Sequence, residues 1–172
     1  MTVEIRPLQP ADDRKGLRSG DAALDLFFHH YAGQNQFRHH IGVTYVAVEG
    51  HDILGFVTVS PASVDVEELP DGRRMPPYPI PVLRIARLAV DQRHVARGLG
   101  KALLRFSIEL AERMRDELGC VGLVVDAKPE AVAYYERFGF EPIDAIEGAT
   151  LQRPAPTLMF LALGAVPQRR HQ

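Results

Sequence analysis

Between residues 82 and 114 the chain passes from an extended apolar run, through a short basic loop, into a long helical pattern. Val82 to Val90 alternates and then runs apolar, the signature of a strand covered on one or both faces. The loop that follows, Asp91-Gln92-Arg93-His94-Val95-Ala96-Arg97-Gly98-Leu99-Gly100-Lys101, carries two glycines whose missing Cβ permits left-handed backbone and close approaches. Beyond it, Leu99, Ala102, Leu103, Phe106, Leu110 and Met114 fall on one helical face. Lys101, Arg105, Glu109, Glu112, Arg113 and Asp116 form the wet side, and Leu118-Gly119 supplies a stop. A helix that opens on such a loop points unpaired N–H groups and a positive dipole end at it, which makes an anion site. Arg93, Arg97 and Lys101 add formal charge. The physical reading is a strand-loop-helix phosphate cradle. The plainer reading, a tight turn that merely opens a helix, stands beside it. A Walker loop is excluded because no Gly-Lys-Ser/Thr occurs here, and the dinucleotide pattern G-x-G-x-x-G fails at Leu103.

The flanking elements follow from pattern. Gly122 to Val125 is a short apolar strand, so strand-helix-strand predicts a parallel pair with a right-handed crossover. Pro129 suits a first helical turn and Gly139 a C-terminal stop, which predicts a helix of roughly ten residues between them. On it Ala131, Tyr135 and Phe138 share a face and Tyr134 points about 100° away. Thr157 to Leu163 reads as the last strand. Toward the N-terminus, Val3, Ile5 and Pro7-Leu8 suggest a first strand. Asp21 caps a helix with apolar positions Ala23, Leu24, Phe27, Phe28 and Tyr31. Thr44 to Val48 and Ile53 to Val59 form a hairpin around Glu49-Gly50-His51-Asp52, with Pro61 ending or edging the second strand. Residues 65–81, rich in proline and acid with Arg73-Arg74 in the middle, read as an exposed loop. His29, His30, His39 and His40 lack a supporting cysteine or carboxylate cluster, so no metal is expected and they read as surface groups, free to face solvent or a partner.

With 172 residues, one domain over 1–172 is expected, with 164–172 a frayed tail. The net charge of −2 gives no global argument for nucleic acid or membrane, although a local basic patch stays open. Cys120, the single cysteine, excludes an internal disulfide and reads as a core residue in a reducing compartment. No segment has the length and apolarity of a membrane span or signal peptide, so the cytoplasm is expected.

Two motifs carry a family resemblance. Gly98-Leu99-Gly100 fits the second half of the acetyl-CoA loop of the GCN5-related N-acetyltransferases (GNAT), Gln/Arg-x-x-Gly-x-Gly/Ala, while Val95 stands in the Gln/Arg slot. Ala131-Val132-Ala133-Tyr134-Tyr135-Glu136-Arg137-Phe138-Gly139-Phe140 resembles the same family's Ala-x-x-Phe-Tyr-x-x-x-Gly-Phe, with Tyr134 in the Phe slot and Tyr135 in the Tyr slot. The resemblance implies an α+β fold. A central, mixed, mostly antiparallel sheet is flanked by helices, with a parallel strand pair splayed at the acetyl-CoA site. Arg18-Ser19-Gly20 before Leu24-Asp25, Gln34, Thr44-Tyr45-Val46, Ser60-Pro61-Ala62-Ser63-Val64, Ile80-Pro81-Val82-Leu83 and Arg87-Leu88-Ala89-Val90-Asp91 resemble, more narrowly, the tRNA-acetylating toxins of toxin-antitoxin pairs.

That resemblance implies acetyl-CoA as co-substrate, aminoacyl-tRNA as acceptor and a ribbon-helix-helix antitoxin as partner, with a homodimer left open. Leu88, Ala89, Val90, Val95, Ala96, Arg97, Gly98, Leu99, Gly100 and Lys101 would hold the cofactor, and a backbone N–H near Val90 would polarise the thioester carbonyl. Tyr135 would protonate the leaving thiolate. Arg73, Arg74, Arg84, Arg87 and Arg93 are candidate tRNA contacts. The central strand offers Arg84 and Arg87 but no carboxylate, so no general base is identified. Two other readings stay open: acetylation of a small amine or a protein N-terminus, and an acyl-CoA-binding module without turnover.

Overall fold

The computed structural model describes residues 2–69, 75–143 and 156–165. Seven strands lie in the order β1-β2-β3-β4-β5-β7-β6. They are β1 (Glu4–Pro7), β2 (Val43–Glu49), β3 (Asp52–Val64), β4 (Ile80–Val90), β5 (Gly122–Ala127), β6 (Glu141–Pro142) and β7 (Thr157–Ala162). The sheet is mixed; β4 and β5 form the parallel pair joined through helix α3 (Leu99–Glu117), as the strand-helix-strand pattern predicts. The other helices are α1 (Ala22–Leu26), α2 (Ala32–Phe37) and α4 (Val132–Glu136). The chain divides into two compact units, residues 1–60 with 85–109, and residues 61–84 with 110–172.

In the first unit β1 and β3 flank β2 antiparallel, with Glu4 opposite Val48 and Val43 opposite Val59. Leu8, Leu17, Phe27, Phe28, Ala32, Val46, Val48, Phe56 and Ala89 make its core. Asp21 caps α1 as expected, accepting from the N–H groups of Ala23 at 3.0 Å and Leu24 at 3.2 Å. The helix does not run on unbroken. Phe27–Tyr31 form a π-helical turn between α1 and α2. Two consecutive residues of this turn, Phe27 and Phe28, are buried in the core. Tyr31, expected on the buried face, is exposed. Phe28 is fully buried and stacks on Phe56 at 4.4 Å between ring centroids. Phe28→Ala is expected to cost about 3–5 kcal/mol of stability, read by denaturant titration.

Gly55 allows β3 to pass close to β4: a Cβ there would sit 2.9 Å from the Ala89 carbonyl oxygen. Gln36 ties α2 to the sheet, donating to Leu8 O at 3.1 Å and accepting from Thr44 N–H at 2.9 Å. Pro61 does not end the strand; β3 continues to Val64. Its pairing with β2 stops at Val59, so the missing N–H of Pro61 costs no ladder bond on that side.

The buried stripe of α3 differs from the expected one. Leu104, Ser107 and Ala111 are buried with Leu99 and Leu103, whereas Ala102 is exposed. Ser107 tolerates full burial because its hydroxyl donates to Leu103 O at 2.9 Å.

In the second unit β5 and β6 flank β7 antiparallel, with Gly122 opposite Ala162 and Glu141 opposite Phe160. Val64, Leu69, Ile80, Val82, Val124, Phe160 and Ala162 form its core. Gly122 is required by packing, since a Cβ there would overlap Leu161 O and the Phe160 ring. Cys120 is buried and its thiol donates to Gly122 O at 3.2 Å. The helix expected after Pro129 is shorter than its motif: a 3-10 turn at Pro129–Ala131 leads into the five residues of α4. No helix among the described residues is long and apolar enough to cross a membrane.

Candidate active site

The cradle predicted from sequence lies in the first unit. β4 ends at Val90, Asp91 follows, residues 92–97 form 3-10 turns with a kink at His94, and Gly98 reverses the chain into α3. Gly98 has φ 72° and ψ 20°, left-handed backbone that a side chain disfavours. The first α3 hydrogen bond to Gly98 runs from Ala102 N–H to Gly98 O at 3.1 Å. The amides of Leu99, Gly100 and Lys101 therefore precede any acceptor four residues back within α3. The positive end of a 19-residue helix lies at this point. A Cβ built on Gly98 meets no atom within 4 Å, so the space over the turn is open. Val95, Ala96, Arg97, Gly98 and Lys101 are exposed, Gly100 is half-buried, and Leu99 anchors the helix start in the core. Open backbone donors, a helix N-terminus and nearby cations fit a diphosphate. Val95, 67% exposed, puts an apolar side chain where the motif has a donor, so only its backbone offers an N–H there. Leu88 and Val90 are half-buried and Ala89 is buried.

The arginines are engaged. Arg97 pairs with Glu49 at 2.6 Å, across from the β2–β3 turn. Arg93 pairs with Asp91, at 2.9 Å from Nε and 3.0 Å from Nη2. Arg87 lies over the Phe27 ring at 3.8 Å, a cation–π contact. In the second unit Arg84 pairs with Asp126 at 2.6 Å. Arg73 and Arg74 lie outside the described residues. These pairs hold Glu49 and Asp91 below the ordinary carboxylate range; for each the arginine hydrogen bond is the first cause, opposed by desolvation. Beside the loop is a cavity of about 150 Å³ bordered by Asp13, Gly16, His51, Asp52, Arg93 and His94. It is too small for a coenzyme.

Tyr135 sits on α4 in the second unit and is 6% exposed. Burial, reinforced by neighbouring Tyr134, pushes its hydroxyl up to about 12. Its ring meets Phe140 at 5.5 Å and Tyr134 at 5.4 Å, both edge-on. Phe138, expected on the Tyr135 face, packs instead on Tyr134 at 5.1 Å, because the chain leaves the helix after Glu136. The Tyr134 hydroxyl is buried without a hydrogen-bond partner among the described residues. That atom is what a Phe in this slot would lack.

Of the histidines, His29 Nε2 lies 3.0 Å from Leu17 O, the contact of a structural donor. No group of three or more metal-ligating side chains occurs among the described residues. Sequence reasoning passed over Asp91, which is fully buried at the end of the central strand. The available signal was a strand-ending aspartate two residues before an arginine, the pattern of a side chain capping its own turn.

Residues 40–142 match the acetyltransferase (GNAT) domain. The chain is 32% identical over 158 residues to a tRNA-acetylating toxin of Mycobacterium tuberculosis (strain ATCC 25618 / H37Rv), covering 90% of this chain and 95% of the relative. Among solved structures, AtaT complexed with acetyl-methionyl-tRNAfMet superimposes with a TM-score of 0.84 at 21% identity, covering 95% of this chain and 96% of that one. A mutant AtaT toxin bound to the C-terminus of the antitoxin AtaR and acetyl-CoA gives 0.78 at 21% identity, covering 96% of each chain. With the strand-loop-helix cradle, the tyrosine motif and a domain match over most of its length, the chain belongs to the GNAT family of N-acetyltransferases.

Proposed function

We propose that this protein transfers the acetyl group of acetyl-CoA to the α-amino group of aminoacyl-tRNA and acts as a translation-blocking toxin. The observation that carries this reading is the 32% identity to a tRNA-acetylating toxin across 90% of the chain. The acetyl-methionyl-tRNA and antitoxin complexes of structural neighbours agree with it. Residues 1–172 act as one acetyltransferase domain in the cytoplasm, restrained by an antitoxin of the ribbon-helix-helix class.

The chemistry divides among this chain's residues. Acetyl-CoA supplies the thioester carbonyl carbon and the thiolate leaving group. The amides of residues 95–101 hold the diphosphate, and β4 from Leu88 to Val90 aligns the pantetheine arm as an added strand. A backbone N–H near Val90 steadies charge on the carbonyl oxygen as the amine nitrogen bonds to carbon. The carbon–sulfur bond breaks and Tyr135 gives its proton to sulfur. The proton lost by nitrogen passes to solvent. An aminoacyl ester holds an α-amine basic enough to attack and weak enough to be neutral near pH 7, so a dedicated base is dispensable.

One observation favours a small-amine acceptor instead: Arg84, Arg93 and Arg97 are each spent on a carboxylate, which leaves less cationic surface for phosphates. The deciding experiment incubates the protein with acetyl-CoA and charged bulk tRNA. Mass spectrometry then follows the aminoacyl-adenosine released from each tRNA. One or a few species should gain an acetyl group, and expression without the antitoxin should arrest growth. Arg73→Glu/Arg74→Glu should depress activity on tRNA far more than on a small amine. Rapid acetylation of a polyamine or peptide N-terminus with no modified aminoacyl-tRNA overturns the toxin reading.

A further inference from the structure

Asp91 presents a fully buried carboxylate, and a buried charge is tolerated only when its lone pairs are filled. Here they are. Oδ1 accepts from Arg93 N–H and Arg93 Nε, each at 2.9 Å. Oδ2 accepts from Arg93 Nη2 at 3.0 Å and from Arg18 N–H at 3.1 Å. The backbone repeats the clamp. Asp91 N–H donates to Leu54 O at 2.8 Å, Gln92 N–H to Arg18 O at 2.8 Å, and His94 N–H to Asp91 O at 2.9 Å.

The segment clamped against Asp91 is itself fixed to the N-terminal helix. Ser19 donates to Asp25 Oδ1 from its hydroxyl at 2.6 Å and from its N–H at 3.0 Å, and His29 holds Leu17 O. A hydrogen-bonded chain therefore runs from α1 through residues 17–19 to Asp91 and Arg93, where the phosphate-binding loop begins.

We propose that Asp91 is a positioning residue for acetyl-CoA: by locking Arg93 and the Arg18 backbone to the end of β4, it sets the course of residues 92–98. This rests on the acetyl-CoA reading of that loop. The role separates cleanly from simple electrostatics. A carboxylate beside an anion site repels the ligand, so neutralising it by Asp91→Asn would tighten binding if charge alone mattered. Loss of the charge-assisted Arg93 pair loosens the loop and weakens binding.

Calorimetry of acetyl-CoA binding to the whole protein distinguishes the two. Asp91→Asn should raise Kd tenfold or more, raise KM for acetyl-CoA in parallel, and leave kcat at saturating acetyl-CoA within about threefold. Unchanged or tighter binding in a folded Asp91→Asn protein overturns the proposal. If that variant does not fold, Arg93→Gln is the second test, since its side chain is 69% exposed and folding does not depend on burying it. It should weaken binding about threefold or more at both 0.1 M and 1 M salt, because a positioning loss survives screening at about 1 M. A loss that vanishes at 1 M salt, or no loss at all, overturns the proposal. Wild-type protein that fails to bind acetyl-CoA sinks the cofactor reading itself. Wild-type binding with equal binding by the variants sinks only the role of Asp91.

Discussion

Tyr135→Phe lowers turnover by about 100-fold or more and leaves acetyl-CoA affinity nearly intact. The substitution keeps the ring that packs against Phe140 and Tyr134, so what it removes is one hydroxyl and its proton. Burial holds that proton up to about 12, so Tyr135 stays in the acid form throughout the neutral range. Two pH consequences follow. Activity rises as the acceptor amine loses its proton, and no falling limb from Tyr135 sets in below about pH 11. A descending limb between pH 8 and 10 that disappears in Tyr135→Phe would contradict this. Tyr134→Phe is expected to be mild in turnover. It removes a buried hydroxyl that has no partner among the described residues, so stability should hold or rise slightly. The reverse order of the two variants would show that the acid lies on the other tyrosine.

Gly98→Val abolishes measurable acetyl-CoA binding or weakens it severely. A β-branched residue is poorly suited to φ 72°, and its side chain would project into the open space over the turn. Backbone strain and cofactor obstruction are separable. Gly119 has φ 103° and likewise has nothing within 4 Å of a built Cβ, but it follows the far end of α3. Gly119→Val should lose comparable thermal stability with unchanged affinity. Calorimetry showing unchanged affinity in folded Gly98→Val would remove the cradle assignment.

The parts of this molecule legible in its sequence are those whose causes are local. Asp21 caps the residues that follow it, Gly98 answers a backbone requirement of its own position, and the β-branched runs of β2 and β3 flank the turn that joins them. The clamp on Asp91 was not legible because a key donor, the Arg18 amide, lies 73 residues away and belongs to the backbone, which every residue type shares. The same holds for Arg97 with Glu49, 48 residues apart, and Arg84 with Asp126, 42 apart. Read singly, those arginines looked like phosphate contacts; the fold gives each a carboxylate first. The π-helical turn was hidden because Phe27 and Phe28 also fit the apolar face of a regular helix, so their pattern does not reveal the wider turn. An apolar repeat does not register Ser107, although a hydroxyl that bonds back to the preceding turn is compatible with a core position.

The single thiol of the chain has a practical consequence for every assay of its chemistry. Cys120 is buried, bonded to Gly122 O, and pushed up in pKa chiefly by desolvation, so little reactive thiolate is presented while the fold is closed. Disulfide reagents that count free coenzyme A will therefore register the product and not the enzyme. The same reagents, added without substrate, become a clock for opening near the start of β5: each labelling event reports one excursion that exposes that sulfur, in a protein that needs no engineered cysteine to be watched this way.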